Sequence, residues 1–403
     1  MKFAHIADVH VGNWRDKELK NLVIQAFEKS IELCIIENVD FVIIAGDLFD
    51  TALPGIDMVK RVFRQLKKLK DANIPLYYIA GSHDQSPSGK TMLDVIEEAD
   101  LGSDVMRGHV ENNQIKLDFT IDNKTGAKLT GLIGKAGQLD RQDYKGLDRK
   151  HLEDEDGFKI FLFHTTLSEL KPKELEKVEG SPISFLPKNF DYYAGGHVHI
   201  VKKYENKDYN NIVYPGPVFP ANFAELEKLG SGGFYIYNKG ELEYQSIHVK
   251  DVVKIHVTHE GTLKSWEKEL DKKLSNINCE DKIVLIRIEG VISDASKADL
   301  NIHKHIKELQ AQNAFKILKK TSGLKSKEFE EITRSFESNE DLENELINEN
   351  LSETKIFNNE KKVFKQLIKG LASEKGEGEK VATYENRILD EATQIIDKAV
   401  NKK

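Results

Sequence analysis

The sequence predicts an α/β fold, and three observations carry that prediction. Short apolar runs alternate with longer amphipathic segments through the first half of the chain. Metal-ligating residue types recur where the apolar runs end. Near Asp251 the pattern restarts, which predicts a second, smaller α+β module.

The elements follow in order. Residues 2–7 read as a short strand through Phe3, His5 and Ile6. Residues 16–38 place Leu19, Leu22, Val23, Ala26, Phe27, Ile31, Cys34 and Ile35 at helical spacing. Phe41–Ala45 is continuously apolar, as a strand covered on both faces requires. The next helix carries Met58, Val59, Val62, Phe63, Leu66 and Leu69 on one face, and residues 76–80 form the third strand. Further strands are expected at 128–133, 159–163, 192–194, 212–214 and 233–237. The second module reads as a strand at 252–258, a helix at 262–275, a strand at 282–290, a helix at 298–312 and a strand at 315–319. Between Glu331 and Asn350 seven acids stand against one base, which suits a solvated linker. Beyond it two amphipathic helices are expected, one through Ile356, Phe357, Val363, Phe364, Leu367, Ile368 and Leu371, the other through Val381, Tyr384, Ile388, Leu389, Ala392, Ile395 and Ile396. Two such helices cannot bury their apolar faces on each other alone, so they must pack on the body or on a partner.

Composition narrows the function classes. The 403 residues suggest two or three domains, and 39% hydrophobic with 31% charged residues is a globular balance. No apolar run approaches the roughly 20 residues of a membrane span, and the first residues lead into a strand rather than a signal peptide. Cys34 and Cys279 sit in apolar periodic segments and read as core thiols of a cytoplasmic protein. The net charge of −8 and only nine arginines exclude a chain whose whole surface attracts nucleic acid, but leave room for a local groove.

Five clusters carry the chemistry: Asp8-Val9-His10, Gly46-Asp47-Leu48-Phe49-Asp50, Gly81-Ser82-His83-Asp84, Phe163-His164-Thr165 and Gly195-Gly196-His197-Val198-His199. Nearly all fall at strand ends, where the crevice of an α/β sheet collects ligands. Asp8, His10, Asp47, His164, His197 and His199 could hold two divalent metals, with a carboxylate such as Asp47 shared between them. Imidazole and carboxylate without thiolate suit Mn²⁺, Fe²⁺ or Zn²⁺ rather than a structural zinc site. The glycines before Asp47, His83 and His197 relieve crowding where the chain turns. An H-x-H pair within a strand would point both imidazoles the same way.

These motifs resemble the calcineurin-like metallophosphoesterase superfamily, whose pattern is Asp-x-His, Gly-Asp-x-x-Asp, Gly-Asn-His-Asp/Glu, a later His and Gly-His-x-His. Within it, the chain is similar to the nuclease subunit of the DNA double-strand-break repair complex, the Mre-eleven/SbcD family, in a form like the archaeal ones. The opening decapeptide Met-Lys-Phe-Ala-His-Ile-Ala-Asp-Val-His, residues 45–50 and Tyr214-Pro-Gly-Pro217 support this. The resemblance implies a four-layer sandwich, two sheets flanked by helices, with a small α+β capping domain and a C-terminal helix pair. It further implies a nuclease domain at 1–250, a DNA-binding cap at 251–325, an acidic linker at 326–350 and a helix-loop-helix at 351–403. One metal is expected on Asp8, His10, Asp47 and His199, the other on Asp47, His164, His197 and the position of Ser82. His83 matches a non-ligand histidine facing the scissile phosphate, and Asp50 the carboxylate that orients it.

Ser82 departs from the family's asparagine, which offers a carbonyl oxygen as ligand. Three readings stay open: Ser82 or a water it holds completes the shell, the second metal arrives only with substrate, or the site is impaired. The implied activity is Mn²⁺-dependent 3'-5' exonuclease and endonuclease hydrolysis with two ions per subunit, Mg²⁺, Fe²⁺ or Zn²⁺ being alternatives. Implied partners are DNA (double-stranded ends, hairpins and single strands), an SMC-like ABC ATPase of the Rad-fifty/SbcC type docking on 351–403, and a second copy of the chain. For that homodimer Ile56, Met58, Val59 and Val62 are candidates, or else plain core residues. A nucleoid-associated cytoplasmic location follows from these partners. The competing readings are a small-substrate nucleotidase or phosphodiesterase and a weakly catalytic DNA-end scaffold.

Overall fold

The structure, a computed structural model, describes residues 1–86, 89–135, 139–172, 179–275, 277–326, 360–371 and 381–400. The chain divides into two units, one comprising Met1–Ile255, Ile277–Ile286 and Ile306–Lys320, the other His256–Asn276, Arg287–His305 and Thr321–Lys403.

In the first unit, β1 (Lys2–Ile6), β2 (Phe41–Ala45), β3 (Leu76–Ile79) and β4 (Ser103–Asp104) alternate with helices α1 (Lys17–Ile36), α2 (Ile56–Asp71) and α3 (Met92–Glu98). A hairpin, β5 (Arg107–Glu111) and β6 (Gln114–Asp118), leads to β7 (Thr120–Ile121), β8 (Lys128–Leu132), β9 (Lys159–His164), β10 (Tyr192–Gly196), β11 (Lys202–Tyr204) and β12 (Ile212–Tyr214). Helices α4 (Asp140–Gly146) and α5 (Arg149–Glu153) lie between β8 and β9 in sequence, and α6 (Phe223–Leu229) precedes β13 (Gly232–Asn238) and β14 (Glu241–Ile247). One sheet has the order β14-β13-β1-β2-β3-β4, the other β11-β12-β10-β9-β8-β7. The central strands β1, β2 and β3, and likewise β8, β9, β10 and β12, pair in parallel.

Strand alternation builds the layers. Phe3, Phe41, Ile43, Tyr77 and Ile79 of one sheet share a buried cluster with Leu129, Ile160, Leu162, Tyr192 and Val213 of the other. The opposite faces are covered in turn: Ala4, Ile6, Val42 and Ile44 pack with Leu22, Phe27, Val62 and Leu66 of α1 and α2. Phe161, Phe163 and Tyr193 pack with Tyr144 and Leu152 of α4 and α5. The result is the expected four-layer α/β sandwich. His5 belongs to the inter-sheet layer by the same alternation, its Nδ1 3.0 Å from the Tyr192 hydroxyl.

Local signals set the helix limits. Asp16 caps α1, its carboxylate accepting the Glu18 and Leu19 amides at 3.0 and 3.1 Å. Asn38, at φ 49°, turns the chain out of that helix. The expected helix at 298–312 is shorter than its apolar spacing suggests. Ser296 and Asp299 form a capping box around a single 3₁₀ turn, Lys297–Asp299, and the α-helix α8 occupies Ile302–Ala311.

The remaining elements are β15 (Val252–Gly261), α7 (Leu263–Leu274), β16 (Ile283–Ile292) and β17 (Lys316–Ser326), the strands forming a three-stranded sheet in that order. In the second unit Trp266 is fully buried and its Nε1 donates to the Val291 carbonyl at 3.1 Å. Helices α9 (Glu360–Leu371) and α10 (Val381–Val400) pack on each other and leave Phe364, Ile368, Leu371, Leu389 and Ile396 exposed. The acidic stretch at 327–350, the helix residues Ile356 and Phe357, and the turn at 373–380 lie outside the described residues. Cys34 and Cys279 are buried free thiols. Among the described residues no helix is long and apolar enough to cross a membrane.

Candidate metal centre

The five clusters converge at the carboxyl ends of the parallel strands. Beyond β1 and β2 the chains stay zipped: the Asp8, His10 and Val11 amides donate to the Gly46, Asp47 and Leu48 carbonyls at 3.2, 2.9 and 2.9 Å. This carries Asp8 and His10 up to Asp47. Five of the six expected ligands have left-handed backbones: Asp8 (φ 51°), His10 (49°), Asp47 (52°), His197 (100°) and His199 (50°). Such conformations cost roughly 1–3 kcal/mol each for residues with a Cβ and cluster where function holds them in place. Gly46 and Gly81 make room at the centre. A Cβ on Gly46 would stand 2.1 Å from His164 Nδ1, and one on Gly81 would stand 2.2 Å from Asp47 Oδ1.

The side chains form two groups. Asp8, His10 and His199 bring one ligand atom each within 4.8 Å of one another, and so do Asp47, His164 and His197. Asp47 faces both: its Oδ2 lies 3.1 Å from His164 Nε2 and 3.5 Å from His10 Nε2. The H-x-H pair is split between the groups, contrary to the alternation expected within a strand. The pair lies past the end of β10, where positive φ at both histidines swings the rings to different groups. The His197 amide ties the pair to Asp8 Oδ1 at 2.8 Å.

The donor set fits divalent metal. The backbone carbonyl of Ala45 accepts from His164 Nδ1 at 2.9 Å, so in the neutral ring Nε2 is the nitrogen free to bind metal. That nitrogen is buried and faces Asp47 Oδ2 at 3.1 Å. Glu225 Oε1 likewise accepts from His199 Nδ1 at 3.0 Å, so His199 turns its Nε2 toward His10 Nε2, 3.0 Å away. One proton shared between these two nitrogens makes a hydrogen bond, and a metal ion beside them would take the place of that proton.

The charges agree. Burial opposes protonation of His164, yet the Asp47 and Asp8 carboxylates raise its pKa to about 10. His199 rises to about 9 against the same burial, through Asp8 and Glu225. His197, buried and beside His164, falls to about 3. Burial raises the Asp47 carboxyl's pKa, but His164 and His10 outweigh it and hold the group well below the carboxylate range. The cluster therefore demands positive charge, which protons or metal ions can supply.

His83 and Ser82 line a cleft of about 410 Å³ that opens on these groups. The His83 side chain is half exposed, and its Nδ1 is held by the backbone carbonyl of Asp50 at 3.1 Å. The Asp50 carboxylate lies 4.0 Å from His83 Nδ1 but 3.4 Å from His10 Nδ1. Asp50 thus reaches His83 through its main chain, while its side chain faces a candidate ligand. Asp84, named with its cluster but given no role from sequence, accepts the Leu48, Phe49 and Gly81 amides at 3.2, 2.9 and 3.0 Å. It clamps the turns that carry Asp47 and His83. Burial, then the Asp47 charge, push its pKa up to about 6.

A model of the calcineurin-like phosphoesterase family matches residues 1–201. The DNA double-strand break repair protein Mre11 of Sulfurisphaera tokodaii is 30% identical over 332 residues, covering 77% of each chain. The chain belongs to the Mre11 family of metallophosphoesterases. The Methanococcus maripaludis Mre11 is 25% identical over 85% of this chain and 92% of its own length. The Methanopyrus kandleri Mre11 is 29% identical over 68% of this chain and 62% of its own. As an Mre11-family metallophosphoesterase the chain is a phosphoester hydrolase that uses divalent metal. Glu225 is the site residue that motif reading passed over. Its signal was Asn222-x-x-Glu225, the spacing of a helix capping box.

Proposed function

We propose that this Mre11-family hydrolase is a Mn²⁺-dependent DNA double-strand-break repair nuclease, acting as a 3'-5' exonuclease and an endonuclease. The observation that carries the reading is Asp47, a member of one three-residue ligand group, facing His10 of the other, with His83 beside them on an open cleft. Asp8, His10, Asp47 and His199 would hold one ion, and Asp47, His164 and His197 the other, with Ser82 at the remaining position. When bound, the ion pair supplies positive charge beside the phosphodiester and lowers the pKa of the attacking water. His83 keeps a proton on Nδ1 because the Asp50 carbonyl accepts it there. Its ring lines the cleft, where a proton on Nε2 would be donated to the leaving oxygen. No residue of the chain needs to become a covalent nucleophile.

The division of labour proposed for the chain is a nuclease domain at 1–250, a DNA-binding cap at 251–325, a linker at 326–350 and a helix pair at 351–403. The exposed apolar side chains of α9 and α10 support docking of an SMC-like ABC ATPase there. Of the apolar residues considered for a homodimer, Val59 and Val62 lie in the core, while Ile56 is exposed.

The test is cleavage of blunt and hairpin duplexes with Mn²⁺ by wild type, His83→Ala and Asp47→Ala. His83→Ala is expected to lose 10²- to 10⁴-fold in turnover while still binding metal, and Asp47→Ala to lose metal and activity together. Hydrolysis of nucleotides but not DNA would favour a small-substrate phosphodiesterase. Absent cleavage with retained ATPase binding would favour a scaffold.

A further inference from the structure

Helix α6 is only two turns long, yet its first turn is unusually well tied. The Asn222 side chain accepts the Glu225 amide at 3.1 Å. The Glu225 carboxylate reaches back, Oε2 accepting the Ala221 amide at 2.8 Å and Oε1 accepting from Asn222 Nδ2 at 2.6 Å. The preceding loop is pinned from another direction, with Trp14 Nε1 donating to the Pro220 carbonyl at 3.1 Å and Asn13 Nδ2 to the Ala221 carbonyl at 3.3 Å. The carboxylate is thus fixed before it meets the site. Its Oε1 also accepts His199 Nδ1–H at 3.0 Å, and the side chain is only 19% exposed.

We propose that Glu225 is a positioning residue for the metal held by Asp8, His10 and His199. A carboxylate behind a metal-ligating imidazole fixes its tautomer, aims the other nitrogen and strengthens it as a donor. The second group is built differently: His164 is oriented by the uncharged Ala45 carbonyl. The Asp8–His10–His199 position therefore receives carboxylate support that the Asp47–His164–His197 position does not receive at His164, and it is the tighter of the two. This role rests on the two-metal reading above.

The test is calorimetric titration of the full-length, chelator-stripped protein with Mn²⁺ alone, with thermal unfolding in EDTA alongside. Wild type is expected to bind two ions of unequal affinity. Glu225→Ala should weaken the tighter ion by about 10- to 100-fold, and Glu225→Gln, which keeps an acceptor but not the charge, should fall between. Because Glu225 also caps α6, Leu226→Ala serves as the structural comparison: Leu226 is fully buried in the same helix. It should lower the unfolding temperature in EDTA and leave Mn²⁺ affinity unchanged. Wild-type affinity in Glu225→Ala, or an equal loss in Leu226→Ala, overturns the assignment. A wild-type protein that takes up no Mn²⁺ overturns the metal centre itself.

Discussion

Replacing Gly81 with alanine tests how tightly the centre is packed. Gly81 does not have a positive φ, so the backbone itself tolerates alanine. The obstacle is space: the new Cβ would lie 2.2 Å from Asp47 Oδ1 and 2.3 Å from the Asp47 amide nitrogen. Contacts of that kind normally settle beyond 3 Å, so something must move by about 1 Å. One clash is with backbone and the other with the carboxylate, so the turns that Asp84 ties together must part and the Asp47 carboxylate must shift with them. That carboxylate is the group facing both His164 and His10, and it also accepts the His83 amide at 2.8 Å. A displacement of about 1 Å at a reacting centre costs on the order of 10²-fold in turnover. Overpacking adds about 1–3 kcal/mol of destabilisation. The assay is Mn²⁺-dependent phosphodiester hydrolysis with calorimetric metal stoichiometry, and urea unfolding confirms that the variant is folded. Gly146→Ala is the comparison, because a Cβ there meets nothing within 4 Å; it should be neutral or slightly stabilising. A folded Gly81→Ala enzyme that keeps more than about a tenth of wild-type kcat/KM refutes the packing argument.

Three further outcomes are expected. His5 is buried between the sheets and burial lowers its pKa from 6.5 to about 3. The unfolded chain therefore takes up the proton first as pH falls below 6.5. Stability present above that pH declines until the folded group titrates, by about 2 kcal/mol at pH 5. Urea unfolding in EDTA should give a steeper loss from pH 8 to pH 5 for wild type than for His5→Phe, and parallel curves would contradict the burial account. Ser82→Asn should tighten the weaker Mn²⁺ site by supplying a carbonyl oxygen; unchanged titration curves would mean the position lies outside the coordination sphere. Deleting residues 351–403 should abolish ATPase capture in a pull-down yet leave basal Mn²⁺ nuclease activity, and retained capture would place docking elsewhere.

The order of strands and helices was legible wherever burial imposes a period. Phe41–Ala45 and Ile212–Tyr214 coincide with their strands because a doubly covered strand is apolar at every position. The short helices Met92–Glu98, Asp140–Gly146, Arg149–Glu153 and Phe223–Leu229 were missed, since about two turns present too few apolar positions to register as periodic. The same limit hid Glu225, which sits on one of them. The glycines before Asp47, His83 and His197 could be anticipated, because a crowded turn leaves few alternatives.

By itself the sequence determined the chemistry of the centre: two aspartates and four histidines at strand ends, without thiolate. Only the tertiary structure decided how those groups are apportioned. It separated His197 from His199, turned the Asp50 carboxylate toward His10, and set Glu225 behind His199. These relations join residues as far apart in the chain as His10 and His199, through backbones held at positive φ. Spacing along a chain records which face of a strand or helix a side chain occupies. It carries no record of where a left-handed turn at the strand end will aim it, because the packing of both sheets sets that direction.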